Sequence, residues 1–206
     1  MIELQTDLRD AICEVFNVAV GKAANSLSIM MKRPVGLNVP SVDILELDQV
    51  GNLLDDLTGP NVCGVTQGFD GKFDGNIVLV FPETQSLELV RMFLSEDVPL
   101  DALSEMEQEA LTEVGNVLLN ACLSTIADIL GERIKGQVPA FMQGPRNAAL
   151  LNAGPQDRGK SYGMFVRIGF TVGDDAVTGY VVLILELSSM KHFISMIDKF
   201  LAGLET

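Results

Sequence analysis

The chain of 206 residues contains one histidine, three cysteines and half as many basic as acidic side chains, 14 Lys and Arg against 28 Asp and Glu. Each shortage removes a class of function. A lone histidine, His192, cannot furnish a histidine-built metal site, and it leaves a Ser-His-Asp triad without support. Cys13, Cys63 and Cys122 are odd in number and share no metal-type spacing, so they read as reduced thiols and not as a disulfide framework. A net charge of −14 argues against a nucleic-acid partner, because such binding rests on Lys and Arg neutralising phosphates, and the basic residues here are scattered. An acidic membrane surface is disfavoured for the same reason. Long apolar runs are missing as well: Ile77 to Phe81 and Tyr180 to Leu185 fall far short of the ~20 residues a membrane helix needs. Glu3 and Asp7 stand where a secretory signal would carry positive charge. The expectation is a cytoplasmic protein with no metal of its own and no membrane insertion.

What is present is enough apolar material for a core, 48% of the residues, arranged in a pattern that repeats. Leu8, Ile12, Val15, Ala19, Ala23 and Leu27 recur at spacings of three and four, predicting a helix from about Leu4 to Met31 that ends before Pro34. Strand-like runs follow at Val35 to Leu47, Asn61 to Phe69 and Lys72 to Phe81, with Asp70-Gly71 as a tight-turn signal, and then a helix from near Pro82. After an acidic linker, Ser95 to Asp101, the order begins again. A long helix stops near Gly131, strands cover Arg133 to Met142, Tyr162 to Val172 and Val177 to Leu187, and a helix closes the chain from Ser188 to Leu204. Residues 143–161 read as an inserted loop. Strands in consecutive runs between helices argue for an α+β fold. The plan of helix, three strands, helix, over about 4–94 and 103–204, predicts two modules merged into one continuous, mainly antiparallel sheet about a pseudo-twofold, covered by helices, as a single domain over 1–206.

The repeat carries a polar signature. Glu14 and Asn17 recur as Glu113 and Asn116, each pair is followed after 22 residues by a proline, Pro40 or Pro139, and each is preceded by an acidic residue, Asp10 or Glu109. On a helix, positions four and three apart fall within a ~60° stripe, so each triplet forms a narrow polar band opposite an apolar face. Any amphipathic helix has a polar face, but here the polar residues recur while their neighbours differ. Asparagine is a poor helix-interior residue, and its use twice suggests a task. A carboxamide offers donors and an acceptor on a rigid plane, suited to holding a water beside an electrophile without taking its proton. Glutamate one turn away can pair with a partner's cation. Nothing nearby in sequence would make it a general base near neutrality.

The stretches from Glu14 to Ala24 and from Glu113 to Asn120 resemble the signature of the CheC, CheX and FliY chemotaxis phosphatase family, and two copies in about 200 residues resemble its two-site CheC type. The resemblance implies removal of phosphate from the aspartyl-phosphate of a CheY-like response regulator. It implies that Asn17 and Asn116 orient water, that Glu14 and Glu113 pair with the regulator's lysine, and that Mg²⁺ belongs to the regulator. CheD is a further candidate partner. The alternative is a non-catalytic adaptor that sequesters a regulator or couples it to CheD. Glu109 stands where the family has Ser or Asp, and Phe16 stands where it has glycine, so Phe16 is expected either to hinder docking or to touch the partner. The second copy is the closer match. Pro40 and Pro139 are expected to shape the following strand more than to meet substrate.

Gly154 to Ser161 spells a P-loop pattern, but a strand-like run follows it where a working P-loop needs a helix, so a solvated hairpin loop is expected instead. The nine methionines read as core filler, with Met30 and Met31 at a helix end as a possible adaptable contact.

Overall fold

A computed structural model describes residues 6–47, 60–94, 104–154, 161–172 and 174–204. The first helix, α1 (Thr6–Met31), leads into β1 (Val35–Glu46), β2 (Asn61–Gly71), β3 (Gly75–Pro82) and α2 (Glu83–Leu94). The second half runs α3 (Glu105–Leu130), β4 (Ile134–Gly136), β5 (Ala140–Pro145), α4 (Arg146–Asn152), β6 (Ser161–Val172), β7 (Asp175–Glu186) and α5 (Leu187–Leu204). All strand pairs are antiparallel and form one seven-stranded sheet in the order β1-β6-β7-β3-β2, with β4 and β5 both paired to the far edge of β2. The expected α+β plan with a continuous antiparallel sheet is what the chain forms.

The register locates the twofold. Val78 pairs with Val182, and on either side Asn76 pairs with Ile184 while Val80 pairs with Tyr180, so the third strand of one module meets the third strand of the other about a centre. The modules also exchange their first strands: β1 pairs with β6, and β4 and β5 pair with β2. Side chains alternate along these strands as sheet geometry requires. Ile77, Leu79 and Phe81 face the larger core with Ile12, Phe16, Leu118 and Phe193, whereas Val78 and Val80 face a second core with Val182, Phe165 and Leu150.

Helix α3 is fixed at both ends. Ser104 N–H donates to the Glu107 carboxylate at 2.7 Å, and Gly131 closes the helix in the left-handed region at φ 63°. Among the described residues α3 is the one helix long and apolar enough, by length and composition, to cross a membrane. Its apolar side is nonetheless occupied, with Leu111, Val114, Leu118, Cys122 and Ile126 buried in the core.

Four expectations need correction. Asp70-Gly71 is not the turn, because both residues remain in β2, paired with Lys135 and Ile134, and the chain reverses over residues 72–74. Arg133 to Met142 is not one strand but two, broken at residues 137–139. The expected loop from 143 begins instead with the end of β5 and the short helix α4. Pro82 ends β3, paired with Val62, and the helix starts one residue later. The acidic linker at 95–101 and most of the P-loop-like segment, 155–160, lie outside the described residues; Ser161 opens β6, so that segment leads into a strand.

Candidate functional site

Glu14 and Asp10 are exposed on α1 and Asn17 is half-buried one turn further along; Glu113, Glu109 and Asn116 repeat this arrangement on α3. The stripe geometry comes from the helical period, since the residues that turn inward beside it, Val15, Phe16, Val114 and Gly115, are buried. Phe16 is fully buried in the core, which corrects the expectation that it hinders or touches a partner. At the equivalent place Gly115 brings α3 close to β2: a Cβ there would lie 2.6 Å from the Val65 Cβ.

The prolines mark two equivalent irregularities. In β1, Asn38 pairs with Gly169 and Ser41 with Arg167, so Val39 and Pro40 together face one residue, Ile168, in a bulge. In the other module Gly136 pairs with Phe69, Gln137 N–H donates to Gly68 O at 2.8 Å, and Ala140 pairs with Thr66, so Val138 and Pro139 face Gln67. Proline suits both places because it has no N–H to offer the ladder.

The first bulge reaches the polar stripe directly. Val39 N–H donates to Asn17 Oδ1 at 3.0 Å, which ties the asparagine to the strand beside Pro40 across the 22-residue separation seen in the sequence. A backbone N–H can only donate, so the Asn17 oxygen is turned inward and its NH₂ outward. The second site holds its asparagine oxygen by another route. Asn116 Oδ1 accepts from Asn120 Nδ2 at 2.6 Å, Asn120 Nδ2 also donates to Asn116 O at 2.8 Å, and Asn120 Oδ1 accepts from Gln67 Nε2 at 3.1 Å. Gln67 Nε2 in turn donates to Gln137 O at 2.8 Å. The chain of amides starts and ends on backbone carbonyls, which can only accept, so the direction of every link follows and the Asn116 NH₂ is left outside these bonds.

Asn120 and Gln67 escaped the sequence reading. Asn120 is as unusual in a helix interior as Asn116, but its counterpart in the first repeat is Gly21, so a search for what recurs passes over it. Gln67 is an amide on a strand whose neighbours are mostly apolar, and it is only 2% exposed. Val138, facing Gln67, is 89% exposed, whereas its counterpart Val39 is buried at 7%.

The surroundings are otherwise modest. Arg9 lies 3.7 Å from Asp43 near the first stripe, and Lys22 lies 3.6 Å from Asp128, joining α1 to α3; both pairs are exposed. Among the described residues no three His, Cys, Asp or Glu side chains converge as a metal site would require. Burial raises the Cys13 thiol above its usual range, with Asp10 adding to the effect.

The sequence profile described as chemotaxis phosphatase CheX matches residues 63–154, a span that contains the second Glu-x-x-Asn and the strands beside it. The CheY-P phosphatase CheC of Bacillus subtilis is 24% identical over 139 residues, covering 66% of each chain. The flagellar motor switch phosphatase FliY of the same organism is 22% identical over 127 residues, 61% of this chain and 33% of FliY. The chain thus spans two thirds or less of the curated relatives it matches. The crystal structure of Thermotoga maritima FliY superposes with a TM-score of 0.77 at 20% identity, covering 97% of this chain and all of the other. The fold and the sequence matches thus converge on CheC, CheX and FliY, the chemotaxis phosphatases to which this chain is similar.

Proposed function

We propose that the chain dephosphorylates the aspartyl-phosphate of a CheY-like response regulator at the two helix stripes. The observation that carries the reading is the shared state of the two asparagines: each Oδ1 is held by a donor of the chain itself, which leaves its NH₂ outside that bond, and an exposed glutamate stands one turn before it. Such a group is made for positioning. Asn17 or Asn116 fixes a water in line with the phosphorus, the water attacks, and the bond to the aspartyl oxygen breaks to release phosphate and a free carboxylate. Glu14 or Glu113 pairs with the regulator's lysine and sets the depth of docking. Mg²⁺ is the regulator's own, and phosphoryl transfer then asks this chain for little beyond alignment. This reading places the protein in the cytoplasm, with CheD as a further partner.

The test is phosphate release from a Mg²⁺-loaded phospho-regulator. Wild type should accelerate it, and Asn17→Ala combined with Asn116→Ala should abolish the acceleration. A double variant as fast as wild type removes the water-positioning role. Tight binding of the regulator with no acceleration by wild type would make the protein an adaptor that sequesters the regulator.

A further inference from the structure

The two sites hold equivalent asparagines by different means, and the difference has a physical cost. In the first, one strand N–H does the work and the position opposite the bulge is the apolar Ile168. In the second, the same position is Gln67, buried at 2% exposure, with its Oε1 buried and without a hydrogen-bond partner. An unpartnered buried amide oxygen destabilises a fold, and the first module does without one. Gln67 Nε2, by contrast, is fully engaged, reaching Gln137 O and Asn120 Oδ1. The space around this contact is shaped to the amides: a Cβ on Gly136 would lie 2.7 Å from Gln67 Nε2 and 3.3 Å from Asn120 Oδ1.

We infer that Asn120 and Gln67 are positioning residues of the second site, forming an amide relay that fixes the orientation of the Asn116 carboxamide before any partner arrives. Asn120 holds Asn116 Oδ1 through its NH₂, and Gln67 holds Asn120 in the one orientation in which that NH₂ can donate. Without the relay the Asn116 amide is free to rotate by half a turn and exchange the places of its oxygen and nitrogen. The first site has no such relay, since Gly21 stands in place of Asn120, so the relay makes the second site separately tunable. The inference rests on the phosphatase reading for its consequence in rate, and on the hydrogen bonds alone for its consequence in orientation.

The experiment uses the full chain with Asn17→Ala, so that only the second site turns over, and adds Asn120→Asp or Gln67→Met. Asn120→Asp keeps the shape of an exposed side chain and removes the donor; Gln67→Met keeps the length and removes the amide. Each should lower kcat about tenfold or more with KM within about twofold of the Asn17→Ala parent. In nitrogen-15 spectra the two Asn116 Nδ2 proton shifts should move toward those of an unstructured asparagine side chain. Unchanged kcat, a change in KM alone, or an unmoved Asn116 signal would each overturn the relay. Failure of both wild type and parent to accelerate phosphate loss would defeat the phosphatase reading instead, failure of the parent alone would leave turnover to the first site, and in either case the Asn116 signal would still decide the relay.

Discussion

Position 16 and its counterpart 115 meet the same sheet with opposite means. Phe16 fills the gap between α1 and the strands with a fully buried ring, and Gly115 closes the gap by letting α3 descend onto Val65. Truncating Phe16 to alanine should therefore cost about 3–5 kcal/mol of stability through the cavity it leaves. Adding one methyl in Gly115→Ala should cost about 1–3 kcal/mol through overpacking. Urea melts with unchanged slopes would measure both, and a Phe16→Ala protein as stable as wild type would return that ring to a surface role. Cys122 makes a second prediction. Burial pushes its thiol from 9.0 up to about 12. The folded chain thus keeps a proton that the unfolded chain surrenders, so stability is full below pH ~9 and falls toward pH ~12, by up to about 1.4 kcal/mol per pH unit. Urea midpoints across that range should decline more steeply in wild type than in Cys122→Ala; parallel declines would show that the thiol contributes nothing. The sequence displayed Asn17 and Asn116 because they recur. It hid Asn120 and Gln67 because a relay present in one repeat leaves no periodic trace.

Elements were legible where period and punctuation agreed. The three-and-four spacing of α1 reproduced itself as a buried face, and Gly131 ended α3 where a left-handed cap was needed. Strands were harder at the prolines. Pro40 and Pro139 occupy equivalent bulges, yet β1 continues as a twelve-residue strand while β4 and β5 are separated. In β1 the ladder with β6 resumes directly at Ser41, so the irregularity is absorbed by the long pairing on either side. Beside Pro139 the pairing before the bulge is only the three residues of β4, too short to hold one continuous strand. Helix α4 has seven residues, less than the window in which a helical period can be counted. The Asp70-Gly71 signal was overridden by long-range pairing, since both residues serve β4 in place of a turn.

At the scale of the molecule, the two sequence repeats are not the two spatial halves. The side of the sheet bearing the second site is built from β2, β3, β4, β5 and α3, drawn from both repeats. These elements fall almost wholly within residues 63–154, the stretch recognised by the CheX profile. A fragment of residues 1–94 keeps β1 but loses its partner β6, so it should remain largely unfolded, while residues 60–154 retain the ladder among β2, β3 and β5 and should show more structure. Circular dichroism and amide-proton dispersion would compare them, and a well-dispersed spectrum from 1–94 alone would contradict the exchange of first strands as a folding requirement. The pairing of Val78 with Val182 has a consequence of its own. A strand that meets its own counterpart antiparallel about a centre is the seam of a symmetric homodimer, here closed within one polypeptide. In a homodimer every substitution strikes both sites at once. Joined in tandem, the copies can diverge, one clamping its asparagine with a backbone amide and the other with borrowed side chains.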